Sequence, residues 1–131
     1  MNNSKPVSLP IAAHFKLDSS LSPKTEEEKD FMLDIPYSNV VGSLMYSMVS
    51  IRPDLSYAMS VLNRFMNNPG KSHWEAMKWL FRYIKGTTNI GLVYEKKNGT
   101  KLGLEGFVDS NYTCNKDNRR STTSYCFCLN G

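Results

Sequence analysis

The sequence predicts an α+β fold, a three-helix segment followed by an incomplete three-stranded antiparallel sheet. Two observations carry this reading: apolar residues recur at helical spacing from Tyr37 to Ile84, and beyond Gly86 their period changes to two. At 131 residues the chain accommodates one small domain or two partial ones. Hydrophobic residues make up 40% and charged residues 21%, a globular composition that argues against disorder along the whole length.

Residues 1–35 read as an extended lead-in. Pro6, Pro10 and Pro23 break any long helix, and Glu26 to Asp30 reads as a short polar helix or a solvated face. The patch Leu9, Ile11, Ala12, Phe15 and Leu17 is the part of this segment suited to docking on a neighbour. Residues 36–87 form the helical part. Its first helix runs from Tyr37 to about Ser50, with Val40, Val41, Leu44, Met45 and Met48 turned inward and Ser38 or Asn39 as cap. Pro53 suits the first turn of a second helix, where its missing N–H would be unpaired in any residue. Leu55, Ala58, Leu62 and Phe65 make the inner stripe of that helix, and Asn67, Asn68, Pro69 and Gly70 stop it.

Ser72 and Glu75 have the spacing of a capping box and mark the start of the third helix. Trp74, Met77, Phe81 and Ile84 share its apolar face, Lys78, Arg82 and Lys85 fall toward the opposite side, and Gly86 closes it as a C′ residue. In residues 88–131 the alternation gives three strands, one at Leu92 and Tyr94, one through Leu102, Leu104 and Val108, and one through Tyr125, Phe127 and Leu129. Asn98-Gly99 supplies a type I′ turn between the first two, because that turn needs positive φ at both central residues. Thr113 to Arg120 is a longer, charged surface loop. Residues beyond about Leu92 are expected to be less stable than the helices, since a short sheet with an open edge invites association with a second copy.

The balance of 16 basic against 12 acidic residues gives +4 and a pI near 9.0, a mild bias toward a polyanionic partner. The candidate nucleic-acid-binding residues are Lys71, Lys78, Arg82 and Lys85 on the third helix and Lys116, Arg119 and Arg120 in the loop. Contacts of this kind go to phosphates, fall steeply with salt and read little sequence. The competing reading is a solvated helix face and a polar loop. Trp74, Trp79, Tyr83 and Tyr94 have the chemistry to stack on bases, but aromatics at helical spacing more often fill a core.

Cys114, Cys126 and Cys128 are an odd set with no C-x-x-C pair, which indicates neither a disulfide framework nor a four-ligand zinc site; free thiols are expected. His14 and His73 are isolated and read as surface or helix-cap residues. Asp117 reads as a partner of Arg119 or Arg120 or as an Asx-turn residue. The methionines read as core filler. The first ten residues hold no apolar run of the secretory type, and no stretch reaches the ~18 uninterrupted apolar residues of a membrane span, so no membrane partner is expected.

The string YSNVVGSLMYSMVSIRPDLSYAMSVLNRFMNNPGKSHWEAMKWLFRYIKGT resembles the segment that follows the polymerase active site in copia-type retrotransposon Pol polyproteins. GLEGFVDSNYTCNKDNRRSTTSYCF is similar to the signature that opens the RNase H domain of that family, and PIAAHFKL to the segment leading into its helices. The resemblance implies that residues 36–87 are a thumb- or connection-like part of a reverse transcriptase and residues 88–131 a truncated RNase H-like meander. Asp109 then falls at the first metal-binding carboxylate of the RNase H site, while Asn111, Asn115 and Ser124 depart from the signature.

RNase H chemistry gathers several carboxylates around two metal ions ~3.5–4 Å apart. Asp109 alone does not supply them, so its position is expected to be vestigial, with Mg²⁺ belonging only to an intact parent polyprotein. The Tyr-x-Asp-Asp strand of the polymerase is also missing from the sequence, and no P-loop, nucleophile elbow or H-E-x-x-H appears. The expectation is a non-catalytic fragment, without a cofactor, that binds RNA or DNA weakly. Short copia-like chains are also known among oomycete RxLR-type effectors, so a secreted protein acting on host proteins is the alternative, although the chain has no Arg-x-Leu-Arg tetrapeptide. A decayed gene fragment without function is the third reading. The first implies a cytoplasmic or nuclear location, the second a host cell.

Overall fold

The computed structural model describes residues 4–91, 103–113, 115 and 117–130. The chain divides into two units, Met1–Gly91 and Leu92–Gly131. Among the described residues the fold is α+β: four α-helices, α1 (Glu26–Leu33), α2 (Tyr37–Ser50), α3 (Ser56–Leu62) and α4 (Lys71–Gly86), precede a two-stranded antiparallel sheet of β1 (Gly103–Asn111) and β2 (Thr122–Asn130).

The helix beyond the expected three is α1, in the stretch that reads as a short polar piece of the lead-in. It forms because Thr25 and Glu28 make a capping box: Thr25 Oγ1 accepts from the Glu28 N–H at 3.3 Å, and Glu28 Oε2 accepts from the N–H groups of Thr25 and Lys24 at 3.3 and 2.8 Å. Glu26, Glu27 and Glu28 also set negative charge against the positive end of the helix. The helix then continues to Leu33 and buries Met32.

α2 starts at Tyr37 with Pro36 as the capping residue, so Ser38 and Asn39 lie inside the helix. The Pro36 carbonyl accepts the first helical bond, from the Val40 N–H at 3.0 Å. The second helix begins, as expected, with Pro53 in its first turn, but that turn is a 3₁₀ turn (Pro53–Leu55) that passes into α3. The stripe Leu55, Ala58, Leu62 and Phe65 is buried throughout.

At α4 two expectations are corrected. The helix starts at Lys71 with Gly70 as cap, so Ser72 sits in the first turn and no Ser72–Glu75 box forms; His73 Nδ1 instead accepts from the Gly70 N–H at 2.8 Å. Gly70 is required because the lead-in passes close by: a Cβ there would stand 2.0 Å from the Leu21 carbonyl oxygen. Gly86 is the last helical residue rather than C′, and Thr87 caps the end. The inner face is centred on His73, Ala76, Met77 and Leu80, with Trp74, Phe81 and Ile84 partly buried at its margins.

The core of the helical unit is the cluster of Tyr37, Val41, Leu55, Ala58, Met59, Leu62, Ala76, Met77 and Leu80. Tyr37 donates its hydroxyl to the Leu62 carbonyl at 3.0 Å, which satisfies a carbonyl at the C-terminal end of α3. The lead-in is not detached: Ile11, Phe15 and Leu17 pack against this cluster.

β1 and β2 pair from Gly103↔Asn130 to Asn111↔Thr122. Paired residues share a face. Glu105, Phe107, Asp109 and Asn111 therefore lie with Cys128, Cys126, Ser124 and Thr122, and Leu104 and Val108 lie with Tyr125 and Phe127 on the other side. Every residue of β1 is exposed. The expected strand at Leu92 and Tyr94, and its Asn98-Gly99 turn, lie outside the described residues.

Candidate nucleic-acid interface

α4 positions four of the seven candidate cations. At about 100° per residue, Lys71, Lys78, Arg82 and Lys85 fall within an arc of roughly 60°, opposite the buried face of the helix. Glu75 falls about 20° beyond that arc and sets one negative charge at the edge of the stripe. Lys71 and Lys78 are exposed, and the Lys71 ammonium lies 5.8 Å from the centre of the Phe31 ring.

The other two cations meet the lead-in. Arg82 Nε donates to the Lys5 carbonyl at 2.7 Å, Lys85 Nζ to the Ser4 carbonyl at 3.2 Å, and Trp79 Nε1 to the Leu9 carbonyl at 3.0 Å. Residues 4–9 thus run antiparallel along α4 as a strap. The Arg82 guanidinium lies 4.9 Å over the Trp79 ring, which fixes its plane. This strap leaves no sequence signal beyond the apolar patch that follows it, because its bonds come from backbone carbonyls that every residue carries.

The loop cations belong to the second unit. Lys116 lies outside the described residues; Arg119 and Arg120 are exposed. The loop is organised by Asn115, which is buried: its N–H donates to the Arg120 carbonyl at 3.2 Å, its carbonyl accepts from the Arg119 N–H at 2.9 Å, and its Oδ1 accepts from the Asp117 N–H at 3.0 Å. Asn115 thus makes an Asx-turn, and its two-residue spacing to Asp117 is the sequence signal for it. Arg119 takes the left-handed backbone conformation, φ 58°.

Asp109 lies exposed on β1, paired across the sheet with Ser124. Among the described residues no group of three or more His, Cys, Asp or Glu could hold a metal ion. These residues do not fit a two-metal centre. His73 is a helix-cap histidine, as expected, but a buried one, stacked on Phe65 with ring centres 4.0 Å apart. His14 is exposed, its ring edge-on to Trp79 at 5.4 Å. Trp79 and Tyr83 are partly buried, while Tyr94 is among the residues not described.

A cluster that the sequence does not announce joins the start of α3 to the end of α4. Arg52 makes a two-pronged contact with Asp54 at 2.9 and 2.7 Å and donates to Thr87 Oγ1 at 2.7 Å, while the Tyr83 hydroxyl donates to Asp54 at 2.8 Å. The Arg52 contact holds the Asp54 carboxyl below its ordinary value, and burial followed by the Asp54 contact raises the Tyr83 phenol. The group contains no nucleophile and works as a clamp. Residues some thirty positions apart give no periodicity by which to foresee it.

Among the described residues no helix is long and apolar enough to cross a membrane. The chain is 48% identical over 131 residues, its whole length, to the retrovirus-related Pol polyprotein from transposon TNT 1-94 of Nicotiana tabacum, of which it covers 10%. It is 40% identical over 100 residues, 76% of this chain and 69% of the relative, to the secreted RxLR effector protein 161 of Plasmopara viticola. With the retrovirus-related Pol polyprotein from transposon RE1 of Arabidopsis thaliana it shares 35% over 125 residues, 95% of this chain and 8% of the relative. The chain therefore spans a tenth or less of the Pol polyproteins it matches. No protein-family model and no solved structure matches it.

Proposed function

The chain is homologous along its whole length to copia-type retrotransposon Pol polyproteins, and on that premise we propose that it is a non-catalytic piece of the reverse transcriptase and RNase H region whose own activity is weak contact with a nucleic-acid backbone. The observation that carries this is the stripe Lys71, Lys78, Arg82 and Lys85 on one face of α4. Side chains spaced along about 20 Å of helix address successive phosphates without reaching base edges, so they bind through charge and not through sequence. Asp109 is exposed, and among the described residues no group of three or more His, Cys, Asp or Glu could hold a metal ion, which supports the non-catalytic reading.

A salt series with labelled RNA–DNA hybrid tests both halves. Binding is expected to weaken linearly in log–log form, and replacing Lys78, Arg82 and Lys85 by Ala to flatten the slope by about 0.9 for each phosphate no longer neutralised. No binding at low salt would remove the proposal. With Mg²⁺ or Mn²⁺ the hybrid is expected to stay intact; cleavage that disappears in Asp109→Asn would overturn the non-catalytic reading.

The similarity to the secreted RxLR effector protein 161, over 69% of that protein, favours a second reading in which the chain acts by contact with another protein. An effect in host cells that survives neutralisation of the α4 stripe would select it.

A further inference from the structure

Cys126 and Cys128 are free and exposed, and no part of the reading above uses them. They stand two residues apart on β2, on the same face of the strand, opposite Phe107 and Glu105 of β1. Two thiols in this setting are ill placed to oxidise to each other. A disulfide needs its Cβ atoms about 3.5–4.5 Å apart, whereas residues two apart on an extended strand are separated by about 6.4–6.8 Å. A single bridging ion closes that gap, because two metal–sulfur bonds of about 2.3 Å span sulfurs about 4.6 Å apart.

We infer that Cys126 and Cys128 form a two-thiolate site for a soft monovalent cation, Cu(I). The ion class follows from the donors. Zn²⁺ in a structural site takes four ligands, and among the described residues no third His, Cys, Asp or Glu joins this pair in a metal-binding group. Thiolate sulfur selects Cu(I) over harder ions. Binding is a ligand exchange without redox change: Cu⁺ and two thiols give a bis-thiolate complex of charge −1, and both protons pass to solvent.

The test is a titration of the reduced full chain with Cu(I) against a chromophoric Cu(I) chelator in excess glutathione, which outcompetes any single thiol but not a pair held at high effective concentration. The wild type and Cys114→Ser are expected to retain one Cu(I), with an ultraviolet thiolate-to-copper band, and Cys126→Ser and Cys128→Ser each to lose it. Retention by either of the last two, or loss from Cys114→Ser, overturns the site. A measurement on the unaltered chain guards against misfolded variants: Cu(I) is expected to protect Cys126 and Cys128 together from alkylation, read by mass spectrometry. Alkylation of both at the metal-free rate would reject the assignment.

Discussion

At the scale of single residues, Tyr37 does two things at once, filling the core with its ring and closing the end of α3 with its hydroxyl. Tyr37→Phe keeps the first role and strands the Leu62 carbonyl, a loss expected to be about 1–3 kcal/mol. It should appear as a lower urea midpoint with an unchanged slope. Burial holds the Tyr37 phenol above its ordinary value, so this stability is intact below the unfolded pKa of about 10 and declines as pH rises beyond it. Asp54 behaves in the opposite sense. Its carboxyl is depressed by Arg52, so its contribution is present above the unfolded pKa of about 3.9 and is lost as pH falls through the folded value. Asp54 is more than a third exposed, which keeps the effect under about 1 kcal/mol. Thermal unfolding followed on the acid side should be flatter in Asp54→Asn than in the wild type. The stripe Leu55, Ala58, Leu62 and Phe65 is legible in the sequence because burial imposes a period, whereas the Arg52–Asp54–Tyr83–Thr87 clamp is not, since its partners meet only through tertiary structure.

At the scale of elements, two glycines in helical settings separate local from tertiary demands. Gly42 lies inside α2, where an added Cβ meets nothing within 4 Å. Gly42→Ala is therefore expected to stabilise the chain by about 0.5–1 kcal/mol, the usual helix-interior difference. Gly70→Ala drives a methyl into the Leu21 carbonyl and is expected to destabilise by about 1–3 kcal/mol. Paired denaturation curves check both signs. The same close approach explains why the start of α4 escapes a local reading: Ser72 and Glu75 satisfy the capping rule, but the passage of Leu21 fixes Gly70 as the cap. The strap along α4 belongs to this scale too. Deleting residues 1–9 removes the carbonyl partners of Arg82 and Lys85. It is expected to tighten binding to duplex while lowering the melting temperature; unchanged affinity would show that these two cations do not reach phosphate.

At the scale of the molecule, the two units differ in how their hydrogen bonds are sheltered. α3 and α4 are backed by side chains with no solvent contact, while β1 is exposed along its whole length. Among the described residues the sheet has two strands, and a pair of strands is marginal in water. Amides of β1 and β2 are accordingly expected to exchange with deuterium well before those of α3 and α4, and equal protection would contradict this. The sheet is legible as alternation through Leu104, Val108, Tyr125 and Phe127, although all four are solvent-exposed, which shows that the pattern encodes a pleat and not its burial.

The nine-residue core from Tyr37 to Leu80, with its outer layer from Ile11 to Ile84, is drawn from one continuous stretch of chain. A stretch of that kind is portable: cut from one reading frame and spliced into another, it carries its own apolar neighbours with it.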